Sequence, residues 1–165
     1  MRLRLAILGV ILFTSLAAWI WLQFFFQPAV DRPYALIEPH LYVGEYVDAP
    51  PPGTHAVLNL CHQRDPYRAD AHLDMPLDGV TPPTMEALQR AIQFIDEHRA
   101  QGRTVYVHCF GGMNRSGMVV TAYLMREHGW SRDEALQYAQ SRRPQISPNP
   151  VMLRFLEEWE GVLQR

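Results

Sequence analysis

Five residues separate Cys109 from Arg115 in the string Thr-Val-Tyr-Val-His-Cys-Phe-Gly-Gly-Met-Asn-Arg-Ser-Gly, Thr104 to Gly117. A β-branched and aromatic run, Thr104 to Val107, predicts a buried strand. An apolar helix is predicted over Ser116 to Glu127. The loop between them has the makings of a phosphate cradle. Its backbone N–H groups can turn inward, and the helix N-terminus adds unpaired donors and partial positive charge. Gly111 and Gly112 permit a tight, partly left-handed turn, while Arg115 can grip two phosphate oxygens through its planar fork. Phe110, Gly111, Gly112, Met113 and Asn114 are then the residues that surround a bound phosphate.

Donors that bind a phosphate also stabilise a thiolate, so the Cys109 pKa is expected to fall from about 8.5 toward roughly 3.5–7.5. A thiolate beside a phosphate monoester is a nucleophile for phosphoryl transfer. Ser116 can donate a hydrogen bond to the sulfur when it departs. His108, facing the opposite side of its strand, is expected to brace the cysteine backbone. Cys-x5-Arg alone is a weak signal, since a buried structural cysteine can meet it by chance. The longer string, set between a strand and a helix, is a specific one.

This string resembles the catalytic loop of the cysteine-based protein tyrosine phosphatases, most closely their dual-specificity branch. The resemblance runs from about Tyr34 to the C-terminus. It includes Leu41-Tyr42-Val43-Gly44, Val57-Leu58-Asn59-Leu60, Thr121-Ala122-Tyr123-Leu124-Met125 and Arg143-Pro144-Gln145-Ile146-Ser147-Pro148-Asn149. By resemblance Cys109 is the nucleophile, Arg115 the phosphate clamp and Ser116 the hydroxyl that aids breakdown of the phosphoenzyme. The segment ending at Asn149 is similar to the one that buttresses the catalytic loop in that family. Phe110-Gly111 departs from the pair many relatives carry, which bears on substrate choice.

Transfer to a thiolate also needs a proton for the departing oxygen. A carboxylic acid on a mobile loop meets that need and later activates water. Asp78, followed by Gly79 as a hinge, is the candidate; it lies 31 residues before Cys109, a spacing that resembles that of the family's general acid. Asp74 is the rival, but it falls within a strand rather than a loop.

The elements that must position these groups follow in order. Strands are expected at Tyr34–Ile37, His40–Val43, Ala56–Leu60 and His72–Pro76, the first two as a hairpin. The proline-rich stretch Asp48 to Thr54 is a loop. Met85, Leu88, Ile92 and Ile95 give helical spacing within Pro82–Gln101, stopped by Gly102. Ser131-x-x-Glu134 is a capping box, and Asn149-Pro150 starts a last helix. Strands interleaved with helices, then a run of helices, predict an α/β domain with a mostly parallel central sheet. The cradle would sit at a strand's C-terminal end, where such sheets bind ligands.

The chain has 165 residues, enough for one domain with a core, and a net charge of −2, which points away from nucleic acid. Its two cysteines make no disulfide framework and no zinc spacing, and the chemistry calls for neither metal nor cofactor. Leu5 to Phe26 is an uncharged apolar run of 22 residues, about 33 Å as a helix and long enough to span a bilayer. Arg2 and Arg4 flank its near end, and an aromatic cluster closes the far end. The expectation is residues 1–27 as a membrane anchor, 28–33 as a linker and 34–165 as a catalytic domain on the non-cytoplasmic side, the periplasm in a bacterium. A cleavable signal segment is the competing reading, with Ser15-Leu16-Ala17 as the cleavage site.

The resemblance implies hydrolysis of phosphate monoesters on proteins, phosphotyrosine first and also phosphoserine or phosphothreonine. A membrane-bound lipid or inositol phosphatase is an alternative. The neutral Phe110, Met113 and Asn114 argue against it, because such enzymes place basic residues in the loop. An inactive phospho-binding module is another alternative, opposed by the presence of Cys109, Arg115, Ser116 and Asp78. Cys61 ends a strand expected to neighbour that of Cys109, within reach of a disulfide, and its position resembles that of a resolving cysteine in some phosphatases of the superfamily. Cys61 as a small buried hydrophobe is the plain reading.

Overall fold

The computed structural model describes residues 32–165. The apolar run Leu5–Phe26, and with it the anchor or signal segment, lies outside them. Among the described residues no helix is long and apolar enough to cross a membrane.

Five strands form one sheet: β1 (Tyr34–Glu38), β2 (Leu41–Gly44), β3 (Thr54–Asn59), β4 (Ala71–Asp74) and β5 (Thr104–His108). Their spatial order is β1-β2-β5-β3-β4. Only the β1–β2 hairpin is antiparallel; β2, β5, β3 and β4 run parallel. β5 is therefore the central strand, flanked on both sides. Val105 and Val107 enter the main core, whereas Tyr106 is buried outside it and stacks on His108 with ring centroids 5.1 Å apart. That alternation is the two-residue period of a strand covered on both faces.

Among the described residues four helices accompany the sheet, α1 (Met85–Arg99) between β4 and β5, then α2 (Arg115–His128), α3 (Arg132–Arg142) and α4 (Pro150–Leu163). In α2 every residue from Ser116 to Met125 is buried. A helix apolar all round belongs at the centre of a domain, and α2 packs on β2 and β5 while touching the other three helices. Trp159 of α4 donates its indole N–H to the Ala122 carbonyl of α2 at 3.0 Å, fixing that contact.

Element ends shift from the sequence expectation for identifiable reasons. α1 starts at Met85, not Pro82, because Thr84 Oγ1 accepts the Ala87 N–H at 3.2 Å and caps the helix there. β4 ends at Asp74, short of Pro76, which has no N–H to add to the ladder. α2 takes in Arg115 and His128 as well. The Ser131–Glu134 capping box and the Asn149 cap with Pro150 in the first turn form as read from the sequence.

Candidate active site

β5 ends at His108 and α2 begins at Arg115, so Cys109 to Asn114 form the connection at the C-terminal edge of the central strand. Cys109 is buried at its base. Gly112 adopts φ 64°, and a Cβ there would lie 2.5 Å from the carbonyl carbon of Gly44. Glycine is thus required at Gly112 both for its backbone conformation and for this close approach to β2. Gly111 has no positive φ, so one left-handed residue makes the turn rather than two.

Burial pushes the Cys109 thiol up. The hydroxyl of Ser116, the N–H groups of Ser116 and Gly112 and the charge of Arg115 outweigh that, and the pKa ends below its ordinary value. The Ser116 Oγ to Cys109 Sγ distance is 3.3 Å. No side chain caps the start of α2, which leaves its first-turn N–H groups to the cradle. Arg115 Nη1 donates to the carbonyls of Leu77 and Leu60, at 2.8 and 3.2 Å, which pins the guanidinium. Phe110 and Met113 stand exposed on the rim.

Asn114, expected beside the phosphate, turns its side chain elsewhere. Its Nδ2 donates to the Gly79 carbonyl at 2.9 Å and its Oδ1 accepts the Asn149 N–H at 2.8 Å. The Asn149 amide donates to the same Gly79 carbonyl at 2.8 Å. The segment after Asp78 is thereby stitched to the cradle, with Gly79 lying against the stem of Arg115. Asp78 itself is exposed, and its Oδ1 accepts from Thr81 N–H at 2.7 Å and Val80 N–H at 2.8 Å. Those bonds hold its carboxyl below the usual carboxylate range. Asp74 is tied into the sheet instead, accepting from Asn59 Nδ2 at 3.0 Å. Asp74 thus ends β4, and Asp78 lies in the loop after it.

His108 behaves differently from its expected role. Its Nε2 lies 3.1 Å from Asp65 Oδ2, and its Nδ1 lies 4.0 Å from Cys61 Sγ. It braces a buried carboxylate, which also meets His72 Nε2 at 3.0 Å, and not the Cys109 backbone.

A family model described as the dual specificity phosphatase catalytic domain matches residues 41–162. The chain belongs to that family. The dual specificity phosphatase domain is 34% identical over 136 residues to protein phosphatase Slingshot homolog 3 of the rat, covering 77% of this chain and 21% of that protein. It is 40% identical over 77 residues to phosphatidylglycerophosphatase and protein-tyrosine phosphatase 1 of the rat, 47% of this chain and 40% of that one. The chain thus spans about a fifth to two fifths of the length of these curated relatives. A crystal structure of a mouse putative dual specificity phosphatase complexed with zinc tungstate superposes with a TM-score of 0.74 at 29% identity, covering 84% of this chain and 92% of that one.

The segment Arg143–Asn149, expected by resemblance to buttress the cradle, does so through two bonds to it. The buried Arg143 donates its Nε to the Gly112 carbonyl at 3.2 Å, and the Ser147 N–H donates to the Met113 carbonyl at 3.1 Å. The segment around Arg143 was marked by its resemblance alone; nothing in its composition points at Gly112. Asp65 escaped the sequence reading, because Cys61–Asp70 reads as a polar loop and gives no sign that one carboxylate is fully enclosed.

Proposed function

We propose that this domain hydrolyses phosphate monoesters on proteins, phosphotyrosine and also phosphoserine or phosphothreonine, through a cysteinyl-phosphate intermediate. The observation that carries the reading is the lowered thiol of Cys109 at the base of an arginine-closed loop, 3.3 Å from Ser116 Oγ. In the first step the thiolate attacks phosphorus. An S–P bond forms, the ester O–P bond breaks, and protonated Asp78 hands its proton to the leaving oxygen. Arg115 and the loop N–H groups hold the non-bridging oxygens throughout. In the second step water attacks phosphorus and gives a proton to the Asp78 carboxylate. The S–P bond breaks, and the Ser116 hydroxyl supports the returning thiolate. The chemistry uses no metal or cofactor.

The name of the rat phosphatidylglycerophosphatase relative favours a second reading, a lipid phosphatase working at the membrane. Against it stands the neutrality of Phe110, Met113 and Asn114 in the loop. Assaying the purified protein on phosphotyrosine, phosphoserine and phosphoinositide substrates separates the two. Cys109→Ser is expected to abolish turnover while retaining vanadate binding, and turnover near wild type removes Cys109 from its role.

Leu5–Phe26 is proposed as an uncleaved anchor that leaves the domain non-cytoplasmic, supported by its length and its flanking arginines. A reporter fused after Arg165 should be active outside the cytoplasm, and the protein should resist carbonate extraction. A soluble product beginning near Ala18 means a cleaved signal segment instead.

A further inference from the structure

Five large apolar side chains stand exposed among the described residues, and three of them belong to the two segments that bound the cradle. Phe110 (64%) and Met113 (46%) lie in the loop itself, and Val80 (71%) follows the acid by two positions. Single exposed apolar residues are ordinary, but these three sit on two segments that Asn114 joins at Gly79. Their exposure does not come from loose backbone. The Phe110 carbonyl accepts the Tyr46 N–H at 3.1 Å, the Met113 carbonyl accepts from Ser147, and the Val80 N–H is bound to Asp78. Asn114 and Asn149 hold the two segments together through Gly79. Three fixed main chains thus present apolar side chains to whatever carries the phosphate.

We infer that Phe110, Met113 and Val80 form an apolar collar that selects phosphotyrosine peptides with a large apolar residue beside the phosphotyrosine. The inference rests on the phosphomonoesterase reading of Cys109 and names its substrate class. The geometry favours a peptide over a polyphosphorylated ring for a chemical reason. Arg115 is the one cation of the loop, and its Nη1 already serves two carbonyls. A second phosphate or a set of ring hydroxyls would lose water against Phe110, Met113 and Val80 and gain no hydrogen bond from them. An apolar neighbour, by contrast, covers them and is itself removed from water. Burying one such side chain is enough for about a tenfold change in kcat/KM.

The test uses the full chain and a set of phosphotyrosine peptides that differ only at the two flanking positions, leucine, glutamate or lysine. Leucine-flanked peptides are expected to exceed glutamate-flanked ones by about tenfold in kcat/KM. In the Phe110→Ser/Met113→Gln double variant this ratio should fall to near one. The ratio is blind to a uniform loss of activity. If the variant is too slow to measure, the same ratio is read as peptide affinity in a Cys109→Ser background. A flat or inverted ratio in the wild-type protein overturns the collar, as does faster hydrolysis of phosphatidylglycerophosphate in phosphatidylcholine vesicles than of any peptide. Peptide turnover with a flat ratio sinks the collar alone. Absence of turnover on every peptide and on p-nitrophenyl phosphate, with no vanadate binding, takes down the phosphatase reading as well.

Discussion

Asn149 donates its backbone N–H to Asn114 Oδ1 at 2.8 Å, and the two side-chain amides converge on one acceptor, the Gly79 carbonyl. Asn149 also caps α4, its Oδ1 accepting the Met152 N–H at 3.0 Å. The acid segment, the cradle and the last helix therefore meet at one side chain with two separable jobs.

Asn149→Asp keeps an oxygen for the Met152 N–H but loses the donor to Gly79. It should leave stability close to wild type and lower kcat by up to about 10²-fold, the scale expected when a catalytic group shifts by ~1 Å. Asn149→Ala loses both and should also cost about 1 kcal/mol of stability. Urea midpoints and kcat for both variants check this; equal stability losses in the two deny the division of labour.

Asp78→Ala should slow hydrolysis by about 10²–10⁴-fold, less for aryl phosphates with good leaving groups. Asp74→Ala should have little effect, since Asp74 serves Asn59 within the sheet. The pH profile follows from two lowered pKa values. Cys109 must be deprotonated, so kcat/KM rises as pH climbs through a value below the ordinary thiol range. Asp78 must be protonated, and N–H bonds from Thr81 and Val80 favour its carboxylate, so activity falls again as pH rises through a value below the usual carboxylate range. The optimum for phosphotyrosine should lie on the acid side of neutrality, and Asp78→Asn should flatten the alkaline limb. An unchanged alkaline limb assigns the acid to another group.

The neighbouring glycines of the cradle should respond oppositely. Gly112→Ala forces a side chain into φ 64° and against the Gly44 main chain, so vanadate binding should be lost along with roughly 2 kcal/mol or more of stability. At Gly111 a Cβ would meet only the flexible end of Met113, at 3.4 Å. Gly111→Ala should keep binding within a few-fold. Thermal unfolding with and without vanadate reads both.

Much of this was legible in the sequence for a physical reason. The cradle is a local device, made of consecutive residues between a strand and a helix, so the loop that carries Cys109, both glycines, Arg115 and Ser116 could be located from the sequence. Caps are local too, which is why the Ser131 and Asn149 helix starts were read correctly, whereas the Thr84 cap was overlooked and α1 starts at Met85. What escaped is long-range. The Arg143 bond to Gly112 spans 31 residues and the His108 bond to Asp65 spans 43. No periodicity encodes which carbonyl a distant guanidinium will find. Asn114 was misplaced for the same reason, since its partners at Gly79 and Asn149 are each 35 residues away.

Cys61 and Cys109 leave the same edge of parallel neighbours, β3 and β5, with Asn59 opposite His108 in the register. Extending that register puts Cys109 opposite Leu60, one residue before Cys61, and the charge of Cys109 acts on the Cys61 thiol. A disulfide needs the two Cα atoms within roughly 4.4–6.8 Å. Both thiols are free and buried. Their ionisation is opposed: burial, with the charge of Cys109, pushes Cys61 up to about 11, whereas Cys109 lies below its ordinary value. Peroxide should therefore react at Cys109. Its thiolate breaks the O–O bond, and a sulfenic acid and hydroxide result. The Cys61 sulfur then displaces the hydroxyl, forming the S–S bond and releasing water. His108 Nδ1, 4.0 Å from Cys61 Sγ, is placed to take the thiol proton as the attack proceeds. The wild-type protein should lose activity in peroxide and regain it with a dithiol reductant, which supplies the two electrons. Cys61→Ser should instead pass to the sulfinic acid and stay inactive. Mass spectrometry should find a Cys61–Cys109 peptide in the oxidised wild type. Full recovery of Cys61→Ser, with no such peptide in the wild type, would leave Cys61 as a small buried hydrophobe.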